Sequence, residues 1–247
     1  MKKKHLTFII VCFCSAIINS TVAILMFHTT SFAGSTYTPP YVNSDGEIIP
    51  GSIASLEKVL LGGIDQWILI RGKDTTKPVL LWLHGGPGFT HMPFIRLFET
   101  SELEENFIVI HWDQRGAGKS YSKNLTTADM QLEHFITDIR ELTAILRHRF
   151  QQDKIFLLGH SWGSALGFMA VKRYPEFYHA YIAASEIVDW QKGKMMTYEW
   201  VQTQAYKENN PEVLNALKGI QPFNPTTLTH LKILHKWLWY YRGAVRN

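Results

Sequence analysis

The chain has 247 residues, of which 46% are hydrophobic and 19% charged, with 17 Gly, 10 Pro and 2 Cys. That balance excludes a disordered tail, a collagen and a polytopic membrane protein, and the length suits one domain or one domain with an appendage. Of the formal net charge of +4, three charges are Lys2, Lys3 and Lys4, so only +1 is left for the remainder and no basic surface for nucleic acid is implied.

The first segment reads as an address. Met1–His5 is basic, Leu6–Phe27 carries no charge, and Ser31-Phe32-Ala33 puts small residues at −3 and −1 before Gly34. This order predicts a signal peptide over residues 1–33. A run of about 20 apolar residues also spans a bilayer, so a retained N-terminal membrane anchor is the alternative. Either way the lysines stay on the cytoplasmic side and the rest of the chain is exported, periplasmic or secreted, or anchored facing outward. Cys12 and Cys14 both lie in this segment, which excludes a disulfide scaffold and leaves the exported part free of cysteine.

Residues 34–50, rich in Pro, Tyr, Ser and Gly, read as a linker. Ile53–Leu61 and Gln66–Arg71 flank Gly62-Gly63 as a hairpin. Three continuous apolar runs follow, Pro78–His84, Phe107–Trp112 and Lys154–Gly159, each ending in a glycine-bearing turn. Such runs predict strands buried on both faces, as in parallel sheets. Phe135, Ile139, Leu142 and Leu146 mark one face of a helix within Thr126–Phe150. Trp162–Tyr174 predicts a second helix stopped by Pro175, and His179–Ala184 a further strand. The alternation gives an α/β fold with a mostly parallel sheet, helices on both faces, and chemistry at the carboxyl ends of the strands. The core is expected over 51–189 and a helical lid over 190–247.

Each glycine turn has a chemical reading. Gly159-His160-Ser161-Trp162-Gly163 is a G-x-S-x-G between a buried strand and a helix, the setting in which a tight turn presents a serine as nucleophile and Gly159 and Gly163 permit close packing. His84-Gly85-Gly86-Pro87-Gly88 offers exposed backbone N–H groups. Gly86 is the candidate for one oxyanion donor and Trp162 for the other. Asp113-Gln-Arg-Gly-Ala-Gly-Lys-Ser120 ends like a phosphate-binding loop, but Asp113 stands where that motif needs its first glycine. A structural loop held by Asp113 and Arg115 through hydrogen bonds is the better reading.

In this order, over about Ile53–Val188, the three motifs resemble the α/β-hydrolases of the proline iminopeptidase (prolyl aminopeptidase) group. The resemblance implies Ser161 as nucleophile, removal of an amino-terminal, typically proline, residue from short peptides, and neither metal nor organic cofactor. Other small amides or esters are also substrates of related members. It further implies an acid and then a histidine on strands beyond the lid. The sequence stops at Asn247 after Asp189-Trp190 and three helical stretches, so the acid and base are assigned to no residue and the chain reads as lacking that carboxyl-terminal part. His179 lies at the entry of a strand, and His230 and His235 lie on the last lid helix. Glu186 or Asp189 would suit an acid placed after the sixth strand. Glu199 and Glu208 are lid acids that no motif aligns. Two competing readings follow: an inactive, truncated module binding peptides or partners, and an esterase or amidase with unorthodox acid and base.

Overall fold

The computed structural model describes residues 38–95, 101–220 and 228–243, together with two three-residue strands, Phe8–Ile10 (β1) and Leu25–Phe27 (β2), that pair antiparallel. The remainder of the leader read over 1–33 lies outside the described residues. No described helix is long and apolar enough to cross a membrane. The chain divides into two compact units, Ser35–Val188, and Asp189–Asn247 with Met1–Gly34.

The larger unit is built on a six-stranded sheet. Ile53–Leu61 (β3) and Ile64–Gly72 (β4) form the hairpin around Gly62 and Gly63, both at positive φ. Glycine is the residue that takes such angles without steric cost. Then follow Val79–Leu83 (β5), Ile108–Asp113 (β6), Ile155–His160 (β7) and Tyr178–Ala184 (β8). The spatial order is β3-β4-β6-β5-β7-β8, with β6, β5, β7 and β8 parallel, β4 antiparallel to β6, and β3 antiparallel to β4.

Burial explains the continuous apolar runs. Alternate residues Val79, Leu81, Leu83, Ile108, Ile110, Trp112, Ile155 and Leu157 point to one face and join a core with the helices Leu132–Arg149 and Trp162–Arg173. The intervening Leu80, Val109 and His111 are buried on the opposite face. That face is approached by the short helix Ser101–Asn106 and a 3-10 turn at Met92–Phe94. In chain order these helices are α1 (Ser101–Asn106), α2 (Leu132–Arg149) and α3 (Trp162–Arg173). On α2 the stripe Phe135, Ile139, Leu142 and Leu146 is buried as the periodicity predicts.

The smaller unit holds three helices, Trp190–Lys207 (α4), Pro211–Lys218 (α5) and Leu228–Tyr240 (α6), around their own core of Val201, Ala205, Val213, Leu217, Ile220, Leu234 and Trp237. Two side chains start these helices by accepting otherwise unpaired backbone donors. Asp189 takes the N–H of Lys192 at 2.9 Å, and Asn210 takes that of Val213 at 3.3 Å, with Pro211 in the first helical turn.

Candidate active site

Strand register brings the three motifs together. In the parallel sheet Leu83 lies opposite Gly159 on one side and opposite Trp112 on the other. The turns that follow β5, β6 and β7 therefore emerge side by side at the carboxyl ends of the strands, where open α/β sheets place their sites.

Ser161 occupies the turn between β7 and α3 with φ 52° and ψ −116°. Positive φ is unfavourable for a residue with a Cβ, and strain of this kind persists only where its surroundings hold it. Here they do. The Ser161 N–H donates to the carbonyl of Ala184 at the end of β8 at 2.9 Å. The Ser161 carbonyl accepts both the N–H of Ser164 (2.8 Å) and its hydroxyl (2.6 Å). Ser164, fully buried, also receives the Ile187 N–H on its Oγ at 3.0 Å and the Tyr181 hydroxyl on its carbonyl at 2.6 Å. This tie between the serine turn and the segment after β8 has no motif of its own. Its only sequence signal is a small polar residue in the first turn of the helix.

Gly159 and Gly163 are required by close approach. A Cβ on Gly159 would lie 2.4 Å from the Gly163 carbonyl oxygen, and one on Gly163 only 2.3 Å from that of Leu83. Trp162 packs its side chain against the core, edge-on to Phe135 with ring centroids 6.0 Å apart, so it meets the turn through its backbone.

The glycine turn after β5 sits against the serine. A Cβ on Gly85 would lie 3.2 Å from Ser161 Cβ and 3.1 Å from His160 Nδ1. Gly86 and Gly88 have φ of 118° and 85°. The Gly85 carbonyl accepts the Phe89 N–H at 3.1 Å and lies 2.8 Å from His84 Nδ1. His84 Nε2 accepts the N–H of Gln114 at 3.2 Å, and the Gln114 side-chain amide donates to the His84 carbonyl at 3.1 Å. Burial pushes the His84 pKa down, which favours the neutral ring.

The loop after β6 is held by its own acids and bases. Asp113 accepts the Lys119 N–H at 2.7 Å and the Thr90 hydroxyl, which links this loop to the turn after β5. Gly118, at φ 48°, leaves no room for a Cβ against the Asp113 carboxylate. Burial raises the Asp113 pKa to about 6, against the opposing pull of the Lys119 N–H and charge. Arg115 makes a two-pronged ion pair with Asp138, Nε to Oδ2 at 2.7 Å and Nη2 to Oδ1 at 2.8 Å, and donates to the Asp129 carbonyl at 2.7 Å. Gln66 extends the network by donating to Asp138 at 2.8 Å and accepting the Trp112 indole N–H at 3.0 Å. Asp138 was legible in principle: it is a carboxylate on the apolar face of α2, between Phe135 and Ile139.

The remaining candidates are dispersed. His179 stands exposed near the start of β8, at the end of the sheet away from Ser161, where the pairing with β7 is irregular between Ile155 and Phe156. Glu186 is exposed beyond β8, and its charge adds to the burial that raises the Tyr181 pKa to about 12. Asp189 is engaged as the cap of α4. Glu199 and Glu208 are exposed, and they share the helical unit with His230 and His235, which lie on α6. Among the described residues no group of three or more His, Cys, Asp or Glu side chains could hold a metal ion.

A strained serine turn between a buried parallel strand and a helix, backed by a glycine turn from the neighbouring strand in a sheet ordered β3-β4-β6-β5-β7-β8, defines an α/β-hydrolase. Residues 76–227 match the model of the serine aminopeptidase S33 family, and the chain belongs to that family. It is 38% identical over 151 residues to a probable aminopeptidase of Bacillus subtilis, covering 61% of this chain and 47% of the relative. It is 37% identical over 106 residues to a proline iminopeptidase of Saccharolobus solfataricus, covering 43% and 32%. With a proline iminopeptidase of Lactobacillus helveticus it shares 32% over 165 residues, covering 64% and 52%. The chain thus spans about half or less of the length of these curated relatives. Among solved structures, a proline iminopeptidase-related protein of Thermus thermophilus shares the fold, with a TM-score of 0.51 and 18% identity over 77% of this chain and 67% of that one.

Proposed function

We propose that this chain carries the nucleophile of a serine aminopeptidase that removes an amino-terminal, proline-like residue from short peptides. Ser161 is the nucleophile in this reading, and the backbone N–H groups of Gly86 and Trp162 receive the oxyanion of the tetrahedral intermediate. The observation that carries it is the Ser161 backbone, held at φ 52° and ψ −116° with Gly85 of the neighbouring turn packed against it. The names of the relatives support the peptide substrate class. No residue is assigned as acid or base. The leader sequence supports export, with cleavage after Ala33 or retention as an outward-facing anchor.

One observation favours the non-catalytic alternative, a module that binds peptides. Asp189, the candidate acid at the start of the lid, is engaged as the cap of α4. Treatment of the full chain with a fluorophosphonate probe and with a proline-arylamide separates the two. Labelling that is lost in Ser161→Ala, with turnover of the arylamide, supports the hydrolase. Absence of both reactions overturns it and leaves peptide binding.

A further inference from the structure

The glycine turn after β5 can supply an oxyanion donor only if the peptide between Gly85 and Gly86 faces the right way. That peptide is trans, so its C=O and N–H point in opposite directions. Fixing the carbonyl on one side therefore fixes the N–H on the other.

The carbonyl is fixed twice. It accepts the Phe89 N–H at 3.1 Å, and His84 Nδ1 lies 2.8 Å from it. The second contact is a hydrogen bond only if Nδ1 carries the proton. Gln114 decides that point. Its backbone N–H has no acceptor role, so the 3.2 Å contact with His84 Nε2 requires Nε2 to be the bare nitrogen. The neutral ring must then hold its single proton on Nδ1 and donate it to Gly85. The side-chain amide of Gln114 holds the other end of His84 by its carbonyl at 3.1 Å. His84 is only 1% exposed, so water does not compete for either nitrogen. No described hydrogen bond uses the Gly86 N–H, and the turn that carries it packs against Ser161 through Gly85.

We propose that His84, with its tautomer set by Gln114, is a positioning residue that orients the Gly85–Gly86 peptide and so aims the Gly86 N–H at the oxyanion site. This inference rests on the serine-hydrolase reading above. His84 touches no reacting atom. It acts through one peptide plane, and the loop after β6 acts through His84.

Asparagine and leucine substitutions separate this role from simple packing. The Nδ2 of asparagine falls near the place of the histidine Nδ1 and can donate to Gly85, whereas leucine fills the volume without a donor. In the full-length chain, His84→Leu should slow the fluorophosphonate reaction at Ser161 by about 10- to 100-fold, below the roughly 10²–10³ expected for outright loss of an oxyanion donor. The reversible affinity for the probe should not change. His84→Asn should recover most of the rate, and thermal melts of both variants establish that they fold. Independently, ¹⁵N spectra of the histidine rings in the wild-type chain at pH 8 should show His84 as the Nδ1–H tautomer. An Nε2–H tautomer, or His84→Leu reacting at the wild-type rate, overturns the proposal. A wild-type chain with the Nδ1–H tautomer that takes no probe counts against Ser161 as nucleophile, while the orienting hydrogen bond itself is upheld.

Discussion

Gly163 lies against the carbonyl of Leu83. A Cβ on Gly163 would stand 2.3 Å from the Leu83 oxygen, 2.7 Å from its carbon and 2.8 Å from the His84 oxygen. All three are backbone atoms of the strand that leads into the other glycine turn, so no side chain can rotate away to make room. The distance between the serine turn and the glycine turn after β5 is therefore set by the absence of one methyl group. Gly163→Ala should cost about 1–3 kcal/mol through overpacking and separate the two turns. Urea unfolding checks the first effect, and a slowed fluorophosphonate reaction at Ser161 checks the second.

Arg115 and Asp138 test the loop after β6. Both side chains are buried, at 2% and 0% exposure, and Asp138 holds Gln66 as well. Replacing one partner leaves the other charge unpaired away from water, which costs about 3–5 kcal/mol in such pairs. Asp138→Ala should fall in that range by chemical denaturation, and Arg115→Met should be comparable. The double variant Arg115→Met/Asp138→Leu should recover a large part of the loss, because it removes both charges together. A cost below 1 kcal/mol for either single change would show that the pair does not hold the loop.

Much of this is legible in the sequence, for physical reasons that differ between elements. The hydrophobic runs at Pro78–His84 and Lys154–Gly159 announced strands because a parallel sheet buries both faces, and their glycine turns announced the site because both strands run the same way. Register made the two turns neighbours. The clamp between His84 and Gln114 was not legible, because it joins residues 30 apart in sequence and each side chain meets a backbone atom of the other, a partner that no motif encodes. The Ser164 tie to Ile187 escaped for the same reason. The small polar residue was visible, but its partner is a main-chain N–H that no motif encodes. For the acid, the sequence offered Glu186 or Asp189; Asp189 serves as a helix cap and Glu186 stands exposed beyond β8.

Asp113 should make stability fall as pH rises. Its pKa is about 6 in the folded chain, above the ordinary value of 3.8. Between those values the unfolded chain has lost the proton and the folded chain retains it. The folded state therefore binds more protons, and its advantage is present below pH 3.8 and is lost as pH climbs through 6. The difference of about 2 pH units corresponds to about 3 kcal/mol. Asp113→Asn keeps an acceptor for Lys119, reverses the bond to Thr90 by turning its amide N–H to the hydroxyl oxygen, and has no titrating proton. Its urea midpoint should lose this part of the pH dependence between pH 4 and 7. An unchanged profile would mean that the buried carboxyl is already ionised at pH 4.

His111 should act in the opposite direction. It is fully enclosed beside Trp82, with ring centroids 5.3 Å apart, and neither ring nitrogen has a hydrogen-bond partner. Burial, with smaller repulsion from His91 and Arg71, pushes its pKa down to about 3. Above pH 6.5 the ring is neutral in both states. As pH falls below 6.5 the unfolded chain takes a proton that the folded chain refuses, so stability drops toward pH 3. At pH 5 the loss from this one group is about 2 kcal/mol. His91, pushed down to about 4 by its own burial and by His84 and His160, adds a second loss in the same window. His111→Leu is close in volume and removes two buried nitrogens that bond to nothing. It should therefore match the wild type within about 1.5 kcal/mol at pH 7.5 and exceed it at pH 5. Denaturation at the two pH values decides the matter: if the variant loses as much stability as the wild type on acidification, His111 is not the group that takes up the proton.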